Sequence, residues 1–256
     1  MASSSKMPTI LLVQGSFQLP EVYQKLTMAL EAKGYPVVHP PLPSLSDPEN
    51  PDFASKSLVT DALAIQLELK NLIEQQERTV VVLMHSYGGL VGSEATSKEF
   101  SWAYRKGQGL TGDVIHFFFF AAFILAEGQS VLSGFGESSN IDVRPHGRFR
   151  IKDAAKILYN DLPPEEAEYW ASKIIDQSYA VQTTKLSRAA YRYIPSTYVI
   201  CENDKGPPPQ FQEVCGKNAK AEIRRMNSGH SPMLSKTDEL VKLITVAAGG
   251  AMKMAI

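Results

Sequence analysis

The sequence predicts an α/β fold: a doubly wound, mostly parallel sheet covered by helices, with a helical cap inserted before the penultimate strand. Three observations predict it. Short β-branched or aromatic runs alternate with helical periods along the chain. The strongest of those runs carry no polar alternation, the pattern of strands buried on both faces of a parallel sheet. One stretch, residues 128–192, breaks the alternation with helix-like segments and no buried strand.

Taken in order, "TILLVQ" (Thr9 to Gln14) reads as the first buried strand and "PVVHP" (Pro36 to Pro40) as a shorter second. Between them Val22, Leu26, Ala29 and Leu30 line one face of a helix that follows Pro20. "HPPLPSLSDPENPDF" is a proline-rich loop, because proline cannot donate in a central strand. Val59, Leu63 and Leu67 then repeat every four residues, with Ile65, Leu69, Leu72 and Ile73 widening the stripe of a helix laid flat on the sheet. "TVVVLMH" (Thr79 to His85), "VIHFFFFAAF" (Val114 to Phe123), "STYVIC" (Ser196 to Cys201) and the more polar "AEIRRMN" (Ala221 to Asn227) supply four more strands, the last suited to an edge. Ser235 followed by Asp238 reads as a capping box before a final helix with Leu240, Leu243 and Ile244 inward. In the interruption, "IKDAAKILYNDLPPEEAEYWASKII" reads as two helices split at Pro163 and Pro164. Residues 1–127 and 193–256 would form the core and 128–192 the cap.

Composition narrows the function. The 256 residues suffice for one large core with an insertion. Lys plus Arg total 26 against 27 Asp plus Glu, a net charge of −1 without a basic block, so nucleic acid is not an expected partner. No run reaches the ~18 apolar residues that a membrane span needs. The early apolar stretch reads as a strand and not as a signal peptide, and Cys201 and Cys215 stand in no metal-like spacing. A cytoplasmic protein with reduced core cysteines, no metal and no organic cofactor is the expectation. The sequence leaves oligomeric state open, a homodimer included.

One corner carries chemistry. Strand, Ser86, then helix is the order of a nucleophile elbow, and "Met84-His85-Ser86-Tyr87-Gly88" is a degenerate G-x-S-x-G in which Met84 replaces the first glycine. A serine hydroxyl needs a base to take its proton. An acid should follow a later strand and a histidine the last one. "ENDKGPPPQF" after the fifth strand offers Glu202 and Asp204, and "SGHSPML" after the sixth offers His230. Both places are carboxyl ends of strands, where open α/β sheets gather their active groups. His85 points to the other side of its strand by alternation and reads as packing or hydrogen bonding. His39 and His116 read as structural, His146 as exposed, Phe117 to Phe120 as mostly core, and Trp170 and Tyr169 as packing.

"HSYGG", "TYVICENDKGPPPQFQ" and "SGHSPMLS", in this order, resemble the α/β-hydrolase superfamily. The similar branch is the small fungal and bacterial esterase-like proteins related to plant methylesterases and hydroxynitrile lyases. "FFFFAAFILAEGQS" and "LYNDLPPEEAEYWASK" resemble its core strand and helical cap, so the likeness runs from Thr9 to about Val246. The resemblance implies Ser86 as nucleophile, His230 as general base and acid, and Asp204 as the group that orients His230. It implies an oxyanion hole from the backbone N–H groups of Tyr87 and Ser16, with Gln14 standing where the family has histidine. The family's lyase branch has lysine after the catalytic histidine; here Ser231 follows His230, which favours ester chemistry. A serine hydrolase acting on an ester, lactone or related acyl bond of a small, largely apolar molecule follows. Two other readings stay open: a non-hydrolytic enzyme of secondary metabolism on the same triad, catalysing lyase, C–C cleavage, lactonisation or cyclisation chemistry, and a receptor-like binder without turnover.

Overall fold

The computed structural model describes residues 7–255. Nine strands appear among the described residues: β1 (Thr9–Val13), β2 (Val37–Val38), β3 (Thr79–His85), β4 (Asp113–Phe120), β5 (Ile141–Arg144), β6 (Arg148–Ile151), β7 (Gln177–Ser178), β8 (Ser196–Cys201) and β9 (Glu222–Met226). The helices that position the site are α1 (Gln24–Glu31), α2 (Leu58–Lys70), α3 (Gly88–Ala95), α4 (Trp102–Gly107), α5 (Val131–Phe135), α6 (Ala154–Ile157), α7 (Pro164–Ser172), α8 (Ala180–Thr183), α9 (Pro209–Asn218), α10 (Pro232–Ser235) and α11 (Thr237–Ala255).

Six strands form one parallel sheet in the order β2-β1-β3-β4-β8-β9. The central strands β1, β3, β4 and β8 are almost wholly buried, which is why their sequences are continuous apolar runs. β9 lies at the edge and keeps three of its five residues exposed. Register aligns Val13 with Met84 and His85 with Phe120, so the strands end together along one rim. β4 stops at Phe120, three residues before the end read from sequence, because Ala121 turns to φ +49°.

Three expectations are corrected. The interruption is not purely helical: β5, β6 and β7 form a three-stranded antiparallel sheet beside α5, α6, α7 and α8. Its strands have at most four residues and carry arginines tied to acids, Arg144 and Arg150 both pairing with Asp176, so no apolar run announces them. The turn between β5 and β6 places exposed His146 at φ +61° and Gly147 at φ +67°. The α2 ridge of Val59, Leu63 and Leu67 faces outward, at 45%, 52% and 68% exposed, while Leu58, Ala62, Ile65 and Leu69 are buried. α2 is apolar most of the way round, so its period cannot say which face turns inward. Ser235 caps no helix; its hydroxyl donates to Asp161 at 2.6 Å instead.

Candidate active site

The corner after β3 is built by small residues. A Cβ on Gly88 would lie 2.2 Å from the carbonyl oxygen of Val13, and one on Gly89 would lie 2.4 Å from that of Phe123. α3 can therefore approach the sheet only with glycine at both places. Met84 fits at the customary glycine position because Gly92 faces it: a Cβ there would stand 2.4 Å from the Met84 sulfur. The missing side chain has moved from the strand to the helix. Ser86 sits between them at φ +52°, left-handed backbone that a non-glycine residue adopts at a cost of about 1–3 kcal/mol.

Asp204 and His230 meet although they stand on different loops. Asp204 Oδ2 lies 2.9 Å from His230 Nδ1, with both side chains buried. The carboxylate is held from two more sides, by the N–H of Gly206 at 2.7 Å and by Gln212 Nε2 at 2.9 Å. Gln212 is itself anchored, accepting from Cys201 N–H at 2.9 Å and donating to the Pro207 carbonyl at 2.7 Å. Glu202, the other acidic candidate, is half-exposed and pairs with Arg225. Ser86 and His230 both line one cavity of about 240 Å³; no hydrogen bond joins Ser86 Oγ to the His230 ring in this conformation. The N–H groups of Ser16 and Tyr87, which also line the cavity, have no acceptor among the described residues.

The loop after β1 is fixed without histidine. Gln14 Nε2 donates to the Gln18 carbonyl at 2.8 Å, closing the loop on itself, and Gly15 N–H donates to the Tyr23 hydroxyl at 2.8 Å. Tyr23 Oη also lies 2.7 Å from His85 Nδ1, and His85 Nε2 lies 2.9 Å from the carbonyl of His230. A carbonyl can only accept, so Nε2 carries the His85 proton and Nδ1 accepts from Tyr23. Burial, and then the neighbouring His230, hold the His85 pKa well below its ordinary value, which keeps it neutral. His85 thus holds the backbone of the histidine loop while stacked on Phe120.

Under the corner, Tyr87 Oη donates to buried Asp61 at 2.8 Å, and Ser44 donates to the same carboxylate through its N–H and its hydroxyl. Burial pushes Asp61 up from 3.8 to about 6. Sequence reasoning missed Tyr23, Asp61 and Gln212. Asp61 and Gln212 each stand among other polar residues of their helices and Tyr23 reads as part of an apolar stripe, so only their partners in the fold single them out. His116 bonds Thr197 at 2.9 Å away from the cavity, and burial raises the thiols of Cys201 and Cys215, the latter to about 11. Among the described residues no three His, Cys, Asp or Glu side chains converge to hold a metal ion, and no helix is long and apolar enough to cross a membrane.

The cavity walls are mostly apolar. The core contributes Phe17, Phe123 and Phe211, and the inserted segment contributes Ile141, Phe149 and Ile157. The polar groups facing it, besides the site itself, include Asn140 and Gln182. An apolar wall with a few polar groups is the usual make-up of a small-molecule pocket.

A family model described as the alpha/beta hydrolase family matches residues 10–243. A fungal relative, alpha/beta hydrolase nvfD of Aspergillus novofumigatus, is 31% identical over 96% of this chain and 99% of its own. Among solved structures, polyneuridine aldehyde esterase superposes with a TM-score of 0.72 at 17% identity, covering 94% of this chain and 98% of its own. Tomato methylketone synthase I, complexed with 2-tridecanone, superposes at 0.73 with 15% identity, covering 96% and 99%. At these identities the structural likenesses speak for the fold alone.

Proposed function

The chain belongs to the alpha/beta hydrolase family, and from that premise we propose that it is a serine hydrolase cleaving an ester, lactone or related acyl bond of a small, largely apolar molecule. Ser86 Oγ attacks the acyl carbon while His230 Nε2 takes its proton. Asp204 holds Nδ1–H of His230, which leaves Nε2 free to accept, and it balances the imidazolium that forms. The N–H groups of Ser16 and Tyr87 receive the developing oxyanion; each is worth about 3 kcal/mol of transition-state stabilisation. His230 then protonates the leaving group, and water repeats the attack on the acyl-enzyme. Residues 128–192 serve as the cap: Ile141, Phe149 and Ile157 stand over the site and keep water away, which strengthens the electrostatic terms inside.

One observation carries the reading. A buried histidine–aspartate bond of 2.9 Å opens on an apolar chamber whose wall includes a serine held at φ +52°. Packing alone gives no reason for that serine strain and that pair to share a cavity.

The test is intact-mass spectrometry after incubation with a serine-directed phosphonate. A single adduct on wild type and none on Ser86→Ala is the expected result, with turnover by the variant reduced by about 10⁴-fold or more. A folded wild type that stays unlabelled sinks the proposal and leaves a binding protein on this scaffold. A labelled protein that turns over none of a panel of aryl esters and lactones would move the reading to non-hydrolytic chemistry on the same three residues.

A further inference from the structure

Residues 159–161 connect α6 to α7 in the inserted segment, and each of the three reaches a different loop of the core. Tyr159 Oη accepts from Gln18 Nε2 at 3.4 Å, on the loop that carries Ser16. Asn160 Nδ2 donates to the carbonyl of Asn203 at 3.0 Å, one residue before Asp204. Asp161 Oδ2 accepts from Gly229 N–H at 2.6 Å and from the Ser235 hydroxyl at 2.6 Å. A single carboxylate oxygen thus holds the chain on both sides of His230.

The fit is tight. A Cβ on Gly229 would lie 2.5 Å from Asn160 Oδ1 and 2.6 Å from Asp161 Oδ1, so with any other residue there both side chains would have to withdraw from the histidine loop. Both of those oxygens are buried without a hydrogen-bond partner, so the pair gives up hydration to press on Gly229. In return Asp161 Oδ2 accepts two short hydrogen bonds, from Gly229 N–H and from the Ser235 hydroxyl.

We infer that Tyr159, Asn160 and Asp161 form a positioning device for the catalytic loops, with Asp161 its principal member. The inference rests on the serine-hydrolase reading above. Asp161 touches none of the reacting atoms; it acts through Gly229 and Ser235. His230 lies on coil between β9 and α10, where no sheet bonds fix it. Its ring must face Asp204 on one side and Ser86 on the other, and a displacement of about 1 Å costs on the order of 100-fold in rate. His85 supports the His230 carbonyl from the strand side, and Asp161 supports both flanks from the inserted side.

The experiment measures the second-order rate of phosphonate labelling against pH, per folded molecule by circular dichroism. Asp161→Ala is expected to lower the high-pH plateau by about 10- to 100-fold. Asp161→Asn keeps an acceptor oxygen for both donors and should return the plateau to within about 3-fold of wild type. A packing role alone would lower thermal stability and leave the plateau per folded molecule unchanged; that result in Asp161→Ala overturns the inference. So does an Asp161→Asn plateau as low as that of Asp161→Ala, which would assign the effect to charge instead of to position. If Asp161→Ala does not fold, Ser235→Ala and Asn160→Ala decide, since each removes one tie. Slowing in both supports the inference, and wild-type rates in both overturn it. A wild type that never labels fails the hydrolase reading itself, whereas a labelled wild type with indifferent variants fails this inference alone.

Discussion

Asp61 has no exposed surface, yet Ser44 and Tyr87 leave its carboxylate well bonded. Burial outweighs those bonds and raises its pKa from 3.8 to about 6. A folded acid with a raised pKa keeps its proton longer than the unfolded chain does. Stability from Asp61 is therefore full below pH 4 and declines as pH rises toward 6, by about 3 kcal/mol in all. Asp61→Asn should remove that decline. The measurement is denaturant unfolding of both proteins from pH 4 to 7. The stability of wild type minus variant should fall by a few kcal/mol across the window and level off above it, and a flat difference would refute the assignment. Met84 and Gly92 teach a related lesson. The elbow motif departs from its usual pattern at one residue, and the compensating residue stands eight positions on, across the helix–sheet interface. A motif read along the chain shows the departure and hides the remedy.

At the scale of the element, the central strands were legible, and so were the inward faces of the first and last helices, where Val22, Leu26, Leu30, Leu240 and Ile244 are buried; the face of α2 was not. β1, β3, β4 and β8 are buried on both faces, so hydrophobicity alone marks them. α2 defeated the same reasoning, since apolar residues lie on nearly all its sides and tertiary contact chose the face. Substituting Val59, Leu63 and Leu67 by glutamine should change stability by less than about 0.5 kcal/mol each. Ile65→Ala, on the buried face, should cost about 2–5 kcal/mol, as a cavity in packed surroundings does. Thermal unfolding of the four variants checks both; a large loss at Leu63 would mean that its exposed side chain is covered by something in solution. The small sheet of β5, β6 and β7 was illegible for the opposite reason. Its strands have two to four residues each, and β5 and β6 alternate apolar with charged side chains: Phe149 is buried in the core with Ile141 and Ile151 packed against it, while Arg144 and Arg150 pair with Asp176, so none makes a run long enough to stand out.

Across the whole molecule, the cavity that holds Ser86 and His230 is lined by both the core and the inserted segment. The ends of the insertion are joined by two backbone bonds of 2.8 Å between Gly128–Gln129 and Leu186, so it leaves and re-enters the core at one place. Phe135 of α5 and Phe211 of α9 pack edge to face at 4.5 Å between centroids and form a partition. On one side lies the 240 Å³ chamber; on the other lies an open cleft of about 1250 Å³ lined by the same two rings. Phe211→Ala should breach the partition and shift the preferred p-nitrophenyl ester toward longer acyl chains. Its stability cost should stay below the roughly 3–5 kcal/mol of a fully buried phenylalanine. A chain-length profile identical to wild type would show that the partition does not set substrate size.

The sequence by itself determined the sheet, the rim where strands end and the residue types gathered there. Those follow from short-range rules: burial selects apolar runs, and strand ends leave loops free to carry polar groups. Tertiary structure decided which of two acids faces the histidine, which side of α2 turns inward, how a methionine fits an elbow, and how residues 159–161 reach three loops at once. Each of those depends on groups distant along the chain coming within about 3 Å, a distance range over which hydrogen bonds act and which no local pattern encodes.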